Sequence, residues 1–438
     1  MKECAKPVKE KHNKNSWMVL VCLFLGVWLL FSHVAFGYKT YFMSVSDTFT
    51  GLLVILCCLF AWRATRAGFF CLWVICFAGL WLNFAPLLFW AKLSVEYLND
   101  TVVGILLTLF SIIIPGIPGK VEPKGHEIPS GWSYNPSSWS QRMPVIVLGV
   151  TGMFISRYLA AYQLGYISSV WDPIFGDETI RVITSTVSNY FPVADAGLGC
   201  FAYTIEVLLG LKGGENRWRT MPWMVVAFVL LVVPLGCVSI ILVILQPLIV
   251  GKWCLLCLCT ALAMMTMIVF AVDELVAVFQ FLHQSYKAGG GFWKTFWHGG
   301  DLSGTKNDLK GPVAEAKIGE IFRRTCRGAT LRWNLILCAL IGAVLMLSPY
   351  LFAFSGKMAD IDHLLGALVI VIAILSLAEV IRLLRIVNIL LGVLLVALSW
   401  IFSDKVLIHI ILGVFLVLLS FSKGRIKEQY GSWQNMIK

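Results

Sequence analysis

The sequence predicts an all-α, polytopic membrane protein, with about twelve transmembrane helices in a 4+4+4 layout around a central four-helix bundle. Three observations carry that prediction. Of 438 residues, 59% are hydrophobic and 13% charged, about half the charged share of a soluble domain. Apolar stretches of near-spanning length recur along the chain. Some of them repeat one another as hairpins at a fixed offset. The mean hydropathy of +0.83 agrees, and 17 tryptophans suit rings anchored at lipid–water boundaries.

The stretches run at about 17–36, 46–62, 68–90, 101–118, 144–168, 192–212, 222–246, 251–273, 333–354, 363–381, 386–402 and 405–421. The sixth and the last two are short or interrupted by polar residues. Met1 to Ser16 is too basic and polar for a cleavable signal peptide, while Trp17 to Phe36 is long enough to span. With the N-terminus inside, 28 of the 35 Lys and Arg fall on the cytoplasmic side. They include Lys2, Lys6, Lys9, Lys11 and Lys14, Arg63 and Arg66, Arg217 and Arg219, and the segment Lys287 to Arg332. Lys39, Lys92, Arg181, Lys252, Lys357 and Lys405 lie outside, and Arg157 is within a helix. Both termini are therefore expected in the cytosol, as for a bacterial inner-membrane protein. The net charge of +11 is absorbed by inner loops, so lipid is the expected partner and nucleic acid is not.

The first two hairpins copy each other at an offset of 53 residues. Gly26-Val27-Trp28-Leu29 matches Gly79-Leu80-Trp81-Leu82, and Asp47 to Gly51 matches Asp100 to Gly104. A third copy runs through Trp333, Gly342, Ser348-Pro349, Asp362 and Gly366, and a degenerate fourth through Gly392 and Gly413. Asp47, Asp100 and Asp362 are read as caps of the second helix of each hairpin, in preference to ligands for a cation or partner. The chain thus divides into residues 1–118, a hairpin pair; 119–143, a linker; 144–283, the central bundle; 284–332, a basic linker; and 333–438, a second hairpin pair. The aromatic-basic run Gly289 to Trp297 in the second linker suits the headgroup plane.

Thirteen cysteines are scattered, most of them inside apolar runs, where a buried thiol acts as a small hydrophobe. Cys4 and Cys326 fall in basic loops on the reducing side. One pair differs. Trp253-Cys254-Leu255-Leu256-Cys257 follows the break Gln246-Pro247 and opens a long apolar helix. Residues i and i+3 share a helix face, so the two thiols can close a disulfide. A helix N-terminus also favours the reactive thiolate. The orientation places this pair at the outer, disulfide-permissive face. Elsewhere in the bundle Arg157 is expected to pair with Glu206 or Asp195. Asp273-Glu274 reads as solvated at a cytoplasmic helix end, and Arg217 to Trp223 as a topological anchor.

The central bundle resembles the vitamin K epoxide reductase family through Gln246-Pro247, Trp253 to Cys257 and Thr260, and through Val182-Ile183-Thr184-Ser185 followed by Phe191 in an outer loop. The hairpins resemble membrane repeats named for a Ser-Pro-Trp signature: Ser348-Pro349 and Ala85-Pro86 fit, and Ser32-His33 departs. The first resemblance implies a four-helix bundle that passes electrons from thiols to a membrane quinone. It implies that Cys257 contacts the quinone, that Cys254 exchanges with incoming thiols, and that Ser185 or Thr184 hydrogen-bonds a ring carbonyl near Thr260. A second cysteine pair, which the family carries in the outer loop, is missing: Thr179 stands at the matching position and residues 169–199 hold no cysteine. The family's tyrosine after the helix threonine is Ala261. A thioredoxin-like donor on the outer side would then have to reach the pair directly. The expected function is a quinone-linked thiol–disulfide oxidoreductase. The alternatives are a non-enzymatic scaffold or small-molecule binder that lost the relay and, on weaker grounds, a transporter.

Overall fold

The computed structural model describes residues 16–63, 65–117, 127–301, 306–307, 318–352, 356–402 and 406–437. The calls on Lys2 to Lys14, Cys4 and Lys405 lie outside them. Helices stand at all twelve expected places: α1 Ser16–Ala35, α2 Tyr41–Ala61, α3 Arg66–Leu88, α4 Ser94–Thr108, α5 Trp139–Gln163, α6 Asp195–Leu211, α7 Pro222–Leu245, α8 Leu255–Lys287, α9 Trp333–Met346, α10 Lys357–Leu375, α11 Arg385–Phe402 and α12 Val406–Phe421. The protein is all-α and polytopic. Its described strands are a two-residue pair, Glu127–Ile128 against Lys306–Asn307.

Among the described residues, nine helices are long and apolar enough to cross a membrane. A tenth span results if Glu178–Tyr190 and Asp195–Leu211, bent by 84°, are counted as one. α9 and α12 are shorter apolar helices, so the structure establishes neither twelve crossings nor the 4+4+4 layout.

The chain forms two compact units, residues 1–124 with 150–214, and residues 125–149 with 215–438. The four helices expected as a central bundle divide between them: most of α5 and all of α6 lie in the first, α7 and α8 in the second. In the first unit, α1–α2 and α3–α4 bury Cys22, Leu29, Val54, Ile75, Leu82 and Leu107. In the second, α9–α10 and α11–α12 bury Cys338, Leu365, Val369, Leu395 and Leu416.

The repeat read from sequence has a physical basis. Each hairpin crosses at a pair of glycines whose absent side chains let two backbones touch. A Cβ on Gly104 would stand 2.4 Å from the Gly79 carbonyl oxygen, and one on Gly366 2.5 Å from that of Gly342. The Gly26–Gly51 and Gly392–Gly413 crossings are similar. Helices in lipid associate through such close packing, because apolar surface alone gives little drive there.

The three aspartates do not cap. Asp47, Asp100 and Asp362 sit inside α2, α4 and α10, fully buried. The helices start earlier than hydropathy indicated, at Tyr41, Ser94 and Lys357. At the start of α2 the capping acceptor is Glu96 of α4, which receives the backbone N–H groups of Lys39 (2.6 Å) and Thr40 (3.1 Å), and the Thr40 hydroxyl (2.6 Å). A distant carboxylate satisfies those orphan amides, so Asp47 is free to face inward.

Candidate functional site

α7 runs into a widened turn, Gln246–Val250, where Pro247 has no amide hydrogen to donate. Gly251 then turns the chain at φ +67°, a left-handed conformation that a side chain would strain. This reversal delivers Trp253 and Cys254 to the head of α8. Cys254 is the N-cap: its backbone is extended and its sulfur accepts the Cys257 N–H at 3.1 Å. The side-chain oxygen of Gln246 accepts the Cys254 N–H at 3.1 Å, which ties the break to the cysteine pair. Cys254 and Cys257 form a disulfide with their Cα atoms 5.3 Å apart. Sulfur at an N-cap faces free amides and the positive end of the helix dipole, so a thiolate there is stabilised.

The two sulfurs differ in access. Cys254 is fully buried, whereas Cys257 is half-buried. Trp253 is buried beside Cys254, and its ring meets the His363 ring edge-on with centroids 4.9 Å apart. His363 belongs to α10, which packs on α7, α8 and the Gln246–Val250 turn. Sequence reasoning passed over His363, although it follows Asp362 in a repeat it had recognised. Gln246 was in the quoted motif without a role.

Thr260, on α8, donates its hydroxyl to the Cys257 carbonyl at 2.9 Å. Thr184 and Ser185 lie in the other compact unit, just after the short helix Glu178–Ile183. Thr184 is exposed and donates to the Ile180 carbonyl at 2.7 Å. The Ser185 oxygen accepts the Ser188 N–H at 3.4 Å, which leaves its own O–H to give. Of the three hydroxyls named from sequence, Thr184 and Thr260 donate to backbone carbonyls, and Ser185 acts as an acceptor.

Thr179, where the resemblance leads one to expect a cysteine, is fully buried and donates its hydroxyl to Asp172. Asp172 also accepts the N–H groups of Ile174 (2.9 Å) and Phe175 (2.8 Å). Further along, Asp195 accepts from Gln163 and from Ser188 (2.9 Å). Hydrogen bonds thus fasten this cysteine-free loop. The expected partners of Arg157 are not used: its guanidinium bonds Thr101 at 2.8 Å and stands 4.1 Å over the Tyr97 ring. Glu206 is fully buried, and its carboxyl oxygens have no hydrogen-bond partner among the described residues.

One further expectation fails in the second unit. Asp273 and Glu274 are buried rather than solvated, because residues 127–138 and 215–219 fold over that stretch of α8. Asp273 accepts from Tyr134, while Glu274 holds Arg217 in a bidentate pair at 2.6 Å and accepts from Ser137 at 2.5 Å. Arg217 and Trp218 are likewise buried, with Arg217 held by Glu274. An open cavity of about 890 Å³ in this unit is lined by Phe270, Arg323, Cys326, Arg327 and Glu379 among others, and by neither Cys254 nor Cys257. Burial raises the pKa of the Cys326 thiol, which disfavours its thiolate.

No curated protein and no solved structure is similar enough to the chain to register as a match. Sequence models of two families do match, and they cover separate stretches. Residues 143–272 match the Vitamin K epoxide reductase family and residues 332–423 the SPW repeat domain, so the chain carries a stretch related to each.

Proposed function

We propose that this integral membrane protein is a thiol–disulfide oxidoreductase that passes electrons between thiols and a membrane quinone through the single pair Cys254–Cys257. One observation carries the reading: the disulfide stands at the N-cap of α8, inside the stretch matched by the reductase family. An incoming dithiol attacks one sulfur, forms a mixed disulfide, and leaves as its own disulfide. The pair gains two electrons and two protons and becomes two thiols. A bound quinone supplies the acceptor for that electron pair and its two protons. By the resemblance, Cys257, the half-buried sulfur, would pass the electrons on, and Ser185, whose oxygen accepts the Ser188 N–H, would be a hydroxyl donor to the acceptor. Cys254 takes the exchange step, its thiolate held by the N-cap amides and the helix dipole.

The charge bias of the sequence supports cytosolic termini and an outward-facing pair, in a setting such as a bacterial inner membrane. Because residues 169–199 hold no cysteine, a thioredoxin-like donor meets the pair directly. Trp253, packed on His363, adjoins the fully buried Cys254 in sequence, and we assign it the role of limiting donor access. The hairpin pairs of residues 1–118 and 333–438 belong to one repeat type, on the strength of their shared glycine crossings.

Quinone-dependent dithiol oxidation by membranes tests this reading. Cys254→Ser and Cys257→Ser should each abolish it, and unchanged turnover in either variant would refute the proposal. Trp253→Ala should speed reduction of the disulfide by a small dithiol, read as alkylation mass shift against time. A second reading, a membrane scaffold or small-molecule binder that lost the relay, draws on the Thr179–Asp172 bond where the family keeps a cysteine. It requires that membranes never show the disulfide when alkylated with and without reductant.

A further inference from the structure

The four hairpins place one residue four positions before the second glycine of each crossing: Asp47, Asp100, Asp362 and His409. In each hairpin pair the two residues so placed meet in the buried interior. In the C-terminal pair, His409 Nε2 lies 3.0 Å from Asp362 Oδ2, and both side chains are fully buried. In the N-terminal pair, Asp47 and Asp100 lie within hydrogen-bonding reach of each other, also fully buried. An imidazole has a proton to give a carboxylate. Two carboxylates have none, and two like charges in contact without water cannot both stay ionised.

We propose that Asp47 and Asp100 form a proton-binding site that holds one exchangeable proton between two carboxyl groups. Ser32 of α1 donates to Asp47 Oδ2 at 3.1 Å, and the Asn99 amide reaches Asp100 Oδ1 at 3.4 Å. The other two oxygens, Asp47 Oδ1 and Asp100 Oδ2, are buried and have no donor among the described residues. Neither aspartate forms an ion pair with Lys, Arg or His among those residues. The charged and titratable groups that face the pair are Glu96 of α4 and Tyr38 of the α1–α2 turn; Ala85 and Pro86 of α3 bring no charge. Glu96 is committed to the amides of Lys39, Thr40 and Lys92 and to the Thr40 hydroxyl.

Tyr38 gives the proton a way in. Its side chain is half-buried in the turn, lies against Asp47, and accepts from Asn99 at 2.9 Å. Asn99 in turn accepts the Trp28 ring N–H at 2.8 Å. Hydroxyl, amide and carboxyl groups therefore connect the turn to the buried pair. A proton shared between the two carboxyl groups needs no third ligand, and Glu96 beside them is committed to backbone amides and to the Thr40 hydroxyl. The C-terminal repeat supports the same conclusion, because it fills the equivalent place with a proton-carrying imidazole.

Infrared difference spectroscopy of the full chain in liposomes tests the proposal. The wild type should show a carboxylic-acid C=O band that shifts in D₂O, and Asp100→Asn or Asp47→Asn should remove one acid equivalent of it. Asp100→His copies the C-terminal arrangement, so it should lose the same band while keeping the melting temperature; this arm holds even if Asp47→Asn fails to fold. Asp362→Asn should leave the band in place. A band unchanged in Asp100→Asn and Asp100→His would overturn the proposal. So would a wild-type melting temperature that rises with Na⁺ but not with choline at fixed pH, since the pair would then hold a metal ion.

Discussion

The two hairpin pairs share one scaffold and differ in its buried chemistry. Each is tied by two glycine crossings, and each brings two side chains together one helical turn before the second glycine. The N-terminal pair meets acid to acid, Asp47 with Asp100, and the C-terminal pair acid to base, Asp362 with His409. Serine at the Ser-Pro position serves the acid in both: Ser32 donates to Asp47 at 3.1 Å and Ser348 to Asp362 at 2.7 Å. The second hairpin has Ala85 in that place, and its Asp100 relies on Asn99 instead. The backbone crossing is therefore the fixed element of the repeat, and the buried polar pair is where copies diverge.

The sharpest way to break the comparison is to remove the base. His409→Ala leaves Asp362 buried with only the Ser348 hydroxyl and should cost about 3–5 kcal/mol. Asp100→Asn should cost about 1 kcal/mol, because an amide still donates to Asp47. Melting of the two variants in detergent compares them directly, and equal losses would deny the chemical difference. Next come the crossings. Gly104→Ala would press a methyl on the Gly79 carbonyl oxygen at 2.4 Å, against 2.9 Å for Gly392→Ala on Gly413. The first should destabilise by about 1–3 kcal/mol and the second by less, read as a shift in thermal unfolding. The smallest effect concerns the serines. Ser348→Ala should lower stability by about 1 kcal/mol and Ser32→Ala by less, following their bond lengths.

Much of the fold was legible in the sequence. Hydropathy located every long helix because the bilayer leaves a backbone few other solutions, and a glycine spaced 53 residues from its copy marked the repeat before its contact was visible. Helix starts were less legible. Tyr41 and Ser94 begin helices whose early turns carry polar residues (Ser44, Ser46 and Asp47; Glu96, Asn99 and Asp100), and the cap of α2 comes from Glu96, 56 positions beyond Thr40. The disulfide pair was legible as well, through its spacing and the Gln246-Pro247 break, whereas the packing of Trp253 on His363 was not: it joins positions more than a hundred residues apart.

By itself the sequence determined the all-helical membrane class, the repeat and the Cys254–Cys257 motif, since each rests on composition or on spacing within a few helical turns. The tertiary structure decided which polar groups meet. It moved Asp47, Asp100 and Asp362 from caps to the interior, buried Asp273 and Glu274, and gave Arg157 a threonine and a ring in place of a carboxylate. Partner choice in a dry interior is set by three-dimensional proximity and by the need to satisfy every buried polar atom, and neither is written in the local order of residues.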